Sequence, residues 1–283
     1  MVTIAVVAMG EMGSGVAGRL VERGARVVTS LAGRSGASAE RAKAAGVEVI
    51  DDQAVANEAD LFLSIVPPAA AAETAERFRP LIAASPKKPL YIDCNATAPQ
   101  TLKAIAEPWL AQGLTFGDGS IIGWAPKPDG YSPKFYLSGP IAEAAETLKG
   151  LGIDTRPMSA NLGDASGIKM AYAAITKGMQ AIGAAAAIGA ARAGAGDAFL
   201  EEIKETQPQI YAWLARMLPV MARKAYRWDD EMQQIARFMD PEAGGVQMFE
   251  GAAALYRHIG EENNTGPDAE MIAIIDRFVK PTA

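Results

Sequence analysis

Few residues in this chain belong to the types that build metal sites and catalytic triads. One cysteine, Cys94, and one histidine, His258, occur in 283 residues. A single cysteine cannot form an internal disulfide, and two such ligands cannot complete a tetrahedral zinc site. A Ser-His-Asp hydrolase is also disfavoured, because no glycine-flanked serine occupies a predicted strand-to-helix elbow. We therefore expect no bound metal and interpret Cys94 and His258 as packing residues.

The chain also has no excess of positive charge, because its 27 lysines and arginines are outnumbered by 33 aspartates and glutamates. The formal net charge of −6 disfavours nucleic acid and anionic membranes as partners, because both require dense basic patches. Residues 170–191 are the only candidate for a membrane span, but Lys177 and Gln180 interrupt the segment, so we interpret it as a buried helix. No charged and apolar leader precedes the first predicted strand. The sequence predicts a cytoplasmic globular protein whose partners are small molecules.

Hydrophobic patterns divide the chain into two parts. Up to about residue 156, short β-rich runs alternate with helical stretches, which is typical of βαβ units around a mainly parallel sheet. From Asp164 the strand pattern stops, and a helix of about thirty residues extends to about Arg192. The sequence predicts a doubly wound α/β Rossmann domain over residues 1–160. It predicts an all-α domain with one long central helix over residues 161–283.

The apolar run Thr3–Val7 breaks into a glycine-containing turn before a helical pattern begins. The turn reads Ala8-Met9-Gly10-Glu11-Met12-Gly13, one glycine short of the G-x-G-x-x-G pattern. Backbone N–H groups in such a turn can approach a pyrophosphate, and the helix dipole favours its negative charge. We expect a nucleotide cofactor to bind Gly10, Glu11, Met12 and Gly13.

The residues after the second predicted strand indicate which dinucleotide is bound. In such folds, a carboxylate about 20 positions after the glycine turn binds the adenosine ribose of NAD. Gly33 occupies this position, and Arg34 follows it. An arginine suits a 2′-phosphate through bidentate hydrogen bonds, and Ser30 and Ser35 add hydroxyls nearby. The sequence therefore favours NADP over NAD, with Ser30, Arg34 and Ser35 as contacts.

Four landmarks along the chain resemble those of one group of enzymes. They are Gly10-Glu11-Met12-Gly13, Val66-Pro67-Pro68, Asp93-Cys94-Asn95-Ala96-Thr97-Ala98-Pro99 and Gly163-Asp164-Ala165-Ser166-Gly167-Ile168-Lys169-Met170. In order and spacing they resemble the β-hydroxyacid dehydrogenase and 6-phosphogluconate dehydrogenase superfamily. The C-terminal half is similar to a poorly characterised bacterial branch, described as 6-phosphogluconate dehydrogenase-like, with its own helical C-terminal domain.

The resemblance implies roles for residues of these landmarks. Val66 and Pro67 would line the nicotinamide pocket, while Asn95 and Thr97 would lie near the nicotinamide ribose and the substrate. Lys169 would be the catalytic lysine. Its apolar neighbours agree with this role, because a partly desolvated amine is suited to proton transfer. Hydride transfer places negative charge on the substrate heteroatom, and a nearby ammonium can stabilise that charge and donate the proton.

Departures from the family pattern indicate a larger or less polar substrate. The family's Ser-Gly-Gly substrate loop reads Ser120-Ile121-Ile122-Gly123-Trp124, so apolar side chains replace groups that receive a carboxylate. Ala173 stands where the family places an asparagine, four residues after the lysine. Tyr172 and Lys177 follow Lys169 at helical spacing and are predicted on the same face. The predicted substrate contacts are Asn95, Thr97, Ser120, Ile121, Ile122, Tyr172 and Lys177.

Together these features predict an NADP-dependent oxidoreductase that acts on a small hydroxy or keto compound, with Lys169 as general acid and base. Two alternatives stay open: an imine reductase-like enzyme, which shares the architecture, and a catalytically silent NADP-binding sensor. A lysine at position 169 favours the hydroxy/keto reaction. The long Ala- and Gly-rich helix needs partners on more than one face, so we also expect a homodimer formed through the helical domain.

Overall fold

The computed structural model of the protein describes residues 1–127, 130–239, 244–265 and 269–280. The chain divides into two compact units, Met1–Met170 and Ala171–Ala283. The division falls inside the long helix α7 (Asp164–Arg192), and the domain boundary expected after residue 160 lies shortly before it.

One mixed sheet forms the centre of the first unit. Within the described residues it has eight strands, in the order β3-β2-β1-β4-β5-β6-β7-β8. The strands are β1 (Thr3–Val7), β2 (Arg26–Thr29), β3 (Glu48–Val49), β4 (Leu61–Ser64), β5 (Leu90–Asp93), β6 (Phe116–Ile122), β7 (Lys134–Ser138) and β8 (Asp154–Pro157). Neighbours pair in parallel except β6 and β7, which are antiparallel. The predicted doubly wound, mainly parallel sheet is therefore confirmed.

Helices pack on both faces of this sheet. They are α1 (Glu11–Glu22), α2 (Gly36–Ala44), α3 (Asp52–Glu58), α4 (Ala71–Ala84), α5 (Pro99–Leu110), α6 (Ala142–Gly150) and the start of α7, with a short 3₁₀ turn at Pro68–Ala70. The residues of β1 are apolar on both faces of the strand instead of alternating between apolar and polar. Ile4 and Val6 belong to one apolar cluster, whereas Ala5 and Val7 belong to the other. A parallel strand that is covered on both faces must bury every side chain.

The order of the strands reverses between β1 and β4, because the chain winds to one side of β1 first and to the other side afterwards. In open α/β sheets, ligands bind at such a switch point, outside the carboxyl ends of the strands. The glycine turn follows β1 directly, and Val66 follows β4. The fold thus brings two of the predicted cofactor segments to one edge of the sheet.

All of the regular secondary structure in the described residues of the second unit is helical. After α7 it contains α8 (Gly196–Thr206), α9 (Pro208–Lys224), a 3₁₀ turn (Ala225–Arg227), α10 (Asp229–Phe238), α11 (Gly245–Thr265) and α12 (Ala269–Val279). Small residues of α7 allow close packing, since a Cβ added at Gly183 would lie 2.5 Å from a methyl group of Leu214 on α9. The predicted all-α C-terminal region is confirmed. Among the described helices, none has the length and apolarity needed to span a membrane; the cytoplasmic location stays a prediction.

Candidate cofactor and active site

The glycine turn after β1 has the geometry of an anion-binding loop. A Cβ added at Gly13 would lie 1.9 Å from the carbonyl oxygen of Ala8, so only glycine permits this contact between strand and helix. A Cβ added at Gly10 would meet no atom within 4 Å, so the turn is open at that point. Gly10 is the N-cap of α1 and no side chain caps the helix there. The positive end of the helix dipole is therefore available to a pyrophosphate.

Three of the predicted cofactor residues lie at the carboxyl end of β2. Gly33 has a φ of +71°, which forms a turn in which the Arg34 N–H donates to the Leu31 carbonyl at 2.9 Å. Among the described residues, the Arg34 guanidinium has no hydrogen-bond or ion-pair partner. Ser35 is exposed, whereas Ser30 is buried and its hydroxyl oxygen accepts the Ala32 N–H at 3.3 Å. The Ser35 hydroxyl lies 3.4 Å from the Ser38 hydroxyl. Arg34 and Ser35 stay predicted ligand contacts, and Ser30 mainly holds the turn.

Two arginines that the sequence reasoning missed also lie at this end of β2. Arg41 on α2 donates from Nε to the Met9 carbonyl in the glycine turn at 2.7 Å. Arg77 on α4 donates to the Ser30 hydroxyl at 3.3 Å and pairs with Asp52 at 2.6 Å between Nε and Oδ2. No motif marks either residue, because the contacts that bring them to this site reach Met9, Asp52 and Ser30, which are 25 to 47 positions away in the sequence.

The ends of β4 and β5 are joined by the side chain of Asn95. Its Oδ1 accepts the Val66 N–H at 2.6 Å, and its Nδ2 donates to the Ser64 hydroxyl at 3.2 Å. The predicted pair Val66 and Asn95 is therefore brought together, with Pro67 exposed beside them. Thr97 is fully buried, and its hydroxyl has no hydrogen-bond partner among the described residues.

Two buried aspartates lie on neighbouring strands beneath this edge. Asp93 ends β5 and is in register with Asp118 on β6. Burial raises the pKa of Asp93 to about 7, and the Asp118 charge acts in the same direction, while hydrogen bonds from Asn95 oppose the shift. Burial also raises the pKa of Asp118, although several hydrogen bonds to its carboxylate oppose this.

Within the described part of the chain, no group of His, Cys, Asp and Glu is arranged to hold a metal ion, and Cys94 is a buried free thiol.

Lys169 lies in the first turns of α7 and is half-buried. Its Nζ donates to the Ile121 carbonyl at 2.8 Å. Among the described residues this is its sole hydrogen bond, so two further N–H groups can reach a ligand. The structure thus brings together Lys169 and Ile121, two residues that the sequence predicts in one site.

The prediction that Ser120–Ile122 form a loop is wrong, because the structure places them in a strand. These residues are the last three of β6 and pair with Tyr136, Phe135 and Lys134 of β7. The sequence predicts a strand only at 114–116, because two glycines and Asp118 interrupt the apolar pattern. Ser120 is fully buried and Ile121 almost so. The Ile121 backbone, rather than its side chain, therefore faces the predicted catalytic group.

Comparisons with known proteins match both parts of the chain. Residues 3–97 match the family described as NADP oxidoreductase coenzyme F420-dependent, and residues 190–259 match a domain of unknown function, DUF1932. A relative from Methanothermus fervidus, an uncharacterized 28.5 kDa protein in the 7S RNA 5′ region, is 26% identical over 240 residues. The match covers 83% of this chain and 90% of the relative.

Solved structures show the same fold. A conserved protein of unknown function, described as similar to 3-hydroxyacid dehydrogenases, is 26% identical, with a TM-score of 0.65 over 90% of this chain and 99% of its own. The 3-hydroxyisobutyrate dehydrogenase of Mycobacterium tuberculosis, solved with L-serine, is 18% identical, with a TM-score of 0.67 over 97% and 98%. An imine reductase of Myxococcus stipitatus in complex with NADP⁺ is 19% identical, with a TM-score of 0.55 over 99% and 100%.

The chain fits the β-hydroxyacid dehydrogenase-like superfamily. The resemblance carried by the four sequence landmarks is thereby confirmed at the level of the superfamily. Its narrower form, the 6-phosphogluconate dehydrogenase-like branch, stays a prediction.

The predicted substrate contacts Tyr172 and Lys177 belong to the helical unit. Tyr172 is exposed. The Lys177 ammonium forms an ion pair with Glu231 on α10 and lies 4.5 Å from the centroid of the Trp228 ring. Lys177 therefore has structural partners inside its own unit, and its predicted contact with a substrate stays a prediction.

Proposed function

We propose that the protein is an NADP-dependent oxidoreductase that transfers a hydride between nicotinamide and a small hydroxy or keto compound. Lys169 is its general acid and base. The observation that carries this proposal is the half-buried Lys169 ammonium, which keeps one hydrogen bond to the Ile121 carbonyl and has two N–H groups left for a substrate oxygen. A single fixed contact orients the amine without saturating it.

The residues present fit a dinucleotide phosphate. The open, uncapped turn at Gly10, Glu11, Met12 and Gly13 suits a pyrophosphate. The Arg34 guanidinium, which has no partner within the described ranges, suits a 2′-phosphate, with Ser35 and Ser30 close to it in the sequence. Val66, Pro67 and Asn95 lie at the ends of β4 and β5, where a nicotinamide would reach the switch point. When bound, the nicotinamide supplies or accepts the hydride.

The substrate, in this proposal, meets the end of β6 and the loop after β5. Ser120, Ile121 and Ile122 form that strand end, and Asn95 and Thr97 lie in the loop beside β5. Because the half-buried Ile122 places apolar atoms at this strand end, we expect a substrate whose body is apolar around one reducible oxygen. Tyr172 and Lys177 are proposed as distal contacts.

The main test is Lys169→Met, which keeps most of the length of the side chain but removes its charge and its protons. A panel of 2-hydroxy, 3-hydroxy, keto and cyclic imine compounds first identifies a substrate of the parent protein. On that substrate we expect kcat to fall about 10²–10⁴-fold in the variant, while the Kd for NADPH changes only a few-fold. Lys149→Met, at an exposed position on α6, is the matched control and should keep the activity of the parent.

The panel also separates the alternatives. Turnover of cyclic imines but not of keto compounds would indicate an imine reductase, whose fold this chain shares. Tight NADPH binding without turnover of any compound would indicate a silent sensor. Retention of the parent kcat by Lys169→Met would remove the lysine from the mechanism and leave the cofactor assignment standing.

We also propose that two copies associate through the helical unit. Tyr172, Ile175 and Ile182 on α7 are 51%, 65% and 56% exposed. At 100° per residue they lie within an arc of about 80° on the helix, so they form one apolar face. Light scattering should give twice the 29.7 kDa mass of one chain, and Ile182→Glu should shift the mass toward the monomer. A monomeric parent protein at micromolar concentration would contradict the proposal.

A further inference from the structure

Strand β6 holds the start of α7 at two points. The first is Asp118, which is fully buried. Its Oδ2 accepts the backbone N–H groups of Gly163 and Ser166, each at 3.0 Å, and its Oδ1 accepts the Ser166 hydroxyl at 2.8 Å. The second point is the Ile121 carbonyl, which accepts the Lys169 ammonium.

The Ser138 hydroxyl on β7 adds a further link between Asp118 and the start of α7. The Ser138 Oγ donates to Asp118 Oδ2 at 2.9 Å and accepts the Ala165 N–H at 3.1 Å. The first N–H groups of a helix have no partners inside the helix, and a carboxylate placed there also interacts favourably with the helix dipole. Here the cap comes from a strand 45 to 48 residues earlier instead of from the adjacent loop.

The contacts of Asp118 with Ser166 and of Ile121 with Lys169 lie close together along α7. Lys169 follows Ser166 by three residues, which is less than one turn of helix. A slip of α7 by one residue would move the backbone of Lys169 by about 1.5 Å along the axis, enough to break a hydrogen bond of 2.8 Å. Strand β6 itself is fixed, because it pairs with β5 on one side and with β7 on the other.

We propose that Asp118 is a positioning residue for Lys169, fixing the start of α7 on β6 so that the amine stays on the Ile121 carbonyl. The inference rests on the proposed role of Lys169. Asp118 itself, buried under the helix start, acts through α7 and does not touch the reacting atoms.

The experiment compares two aspartates that cap helices. Asp118→Asn removes the carboxylate under α7, and Asp51→Asn alters the cap of α3, where Asp51 accepts the Ala54 N–H at 2.8 Å. Helix α3 carries no residue of the proposed site. Each folded protein is labelled with trace acetic anhydride, and mass spectrometry gives the labelling rate of Lys169 relative to exposed Lys149. In Asp118→Asn we expect this ratio to rise about threefold or more, the change that follows from losing one hydrogen bond; in Asp51→Asn it should not change.

Ser166→Ala is the milder variant if Asp118→Asn does not fold. It removes one hydrogen bond to Asp118 and leaves the backbone N–H contacts in place, so the ratio should rise in the same direction. An unchanged ratio in a folded Asp118→Asn or in Ser166→Ala would overturn the inference, as would an equal rise in Asp51→Asn.

The labelling ratio needs neither substrate nor cofactor, so the two proposals can fail separately. If Lys169→Met keeps full turnover, the catalytic proposal fails even when the ratio rises as expected. If Lys169→Met loses turnover but the ratio does not respond to Asp118→Asn, the positioning inference fails alone. Once a substrate is known, Asp118→Asn should lower kcat about tenfold or more with little change in the Kd for NADPH, because misplacement affects the reacting group and not the cofactor.

Discussion

Lys177→Met tests whether this lysine serves the fold or a ligand. The ammonium is paired with Glu231 and lies 4.5 Å from the centroid of the Trp228 ring. The two charged side chains are only 17% and 11% exposed, so methionine would remove the cation that pairs with a mostly buried carboxylate. Loss of one partner of a buried pair costs about 3–5 kcal/mol, and the residual exposure here reduces this to about 2–4 kcal/mol. For a chain of 283 residues we expect the melting temperature to fall by about 3–7 °C.

Thermal unfolding followed by circular dichroism measures the effect, and a second substitution gives the control. In the double variant Lys177→Met/Glu231→Leu both charges are absent, so most of the lost stability should return. If Lys177→Met instead melts within about 2 °C of the parent and raises KM, the ion pair contributes little. Lys177 would then be the distal substrate contact that its helical spacing predicts.

Two further predictions concern Arg34 and Asp93. NADPH should bind more tightly than NADH by about 1–3 kcal/mol in fluorescence titrations, and Arg34→Ala should remove that difference; equal affinities in the parent would exclude a 2′-phosphate contact. Because the pKa of Asp93 is about 7 when folded and near 4 when unfolded, the folded state holds an extra proton between these values, and stability falls by up to about 4 kcal/mol as the pH rises through this range. Asp93→Asn should therefore melt above the parent at pH 8 and near it at pH 4, and a parallel pH dependence in both proteins would refute the assignment.

Most of the fold follows from local sequence signals. The apolar run at Thr3–Val7 and the helical periods after Asp164 predict elements that the structure contains. Strand β8 gives no such signal, because Asp154–Pro157 contains an aspartate, an arginine and a proline and lies at the sheet edge, where no buried face demands apolar side chains. Strand β6 is likewise missed beyond Phe116, because Gly117, Asp118 and Gly119 interrupt its apolar pattern.

The site is less predictable, because its contacts join distant parts of the chain. Gly13, Arg34 and Lys169 belong to patterns with known spacing, and the structure gives each a geometry that suits its predicted role. Asp118 and Arg41 belong to no local pattern, since Asp118 accepts from Ser138, Gly163 and Ser166, 20 to 48 residues away, and Arg41 reaches the Met9 carbonyl 32 residues away. The signal that could have found Asp118 is its setting: an acidic residue inside an apolar strand is rarely buried without a specific set of partners.

The distribution of buried polar groups supports the position of the site. Ser64, Asp93 and Asn95 lie at the ends of β4 and β5, and Asp118 and Ser120 lie in the part of β6 that meets or passes the end of β5. Burying such groups costs free energy, and elsewhere the sheet's interior is formed mainly by apolar residues. Local rules of this kind are broken mostly at functional sites. Because α7 is fixed on this same strand end through Asp118 and Ile121, substitutions of Ile122 should change which substrates are accepted, whereas substitutions of Asp118 should change how fast any of them reacts.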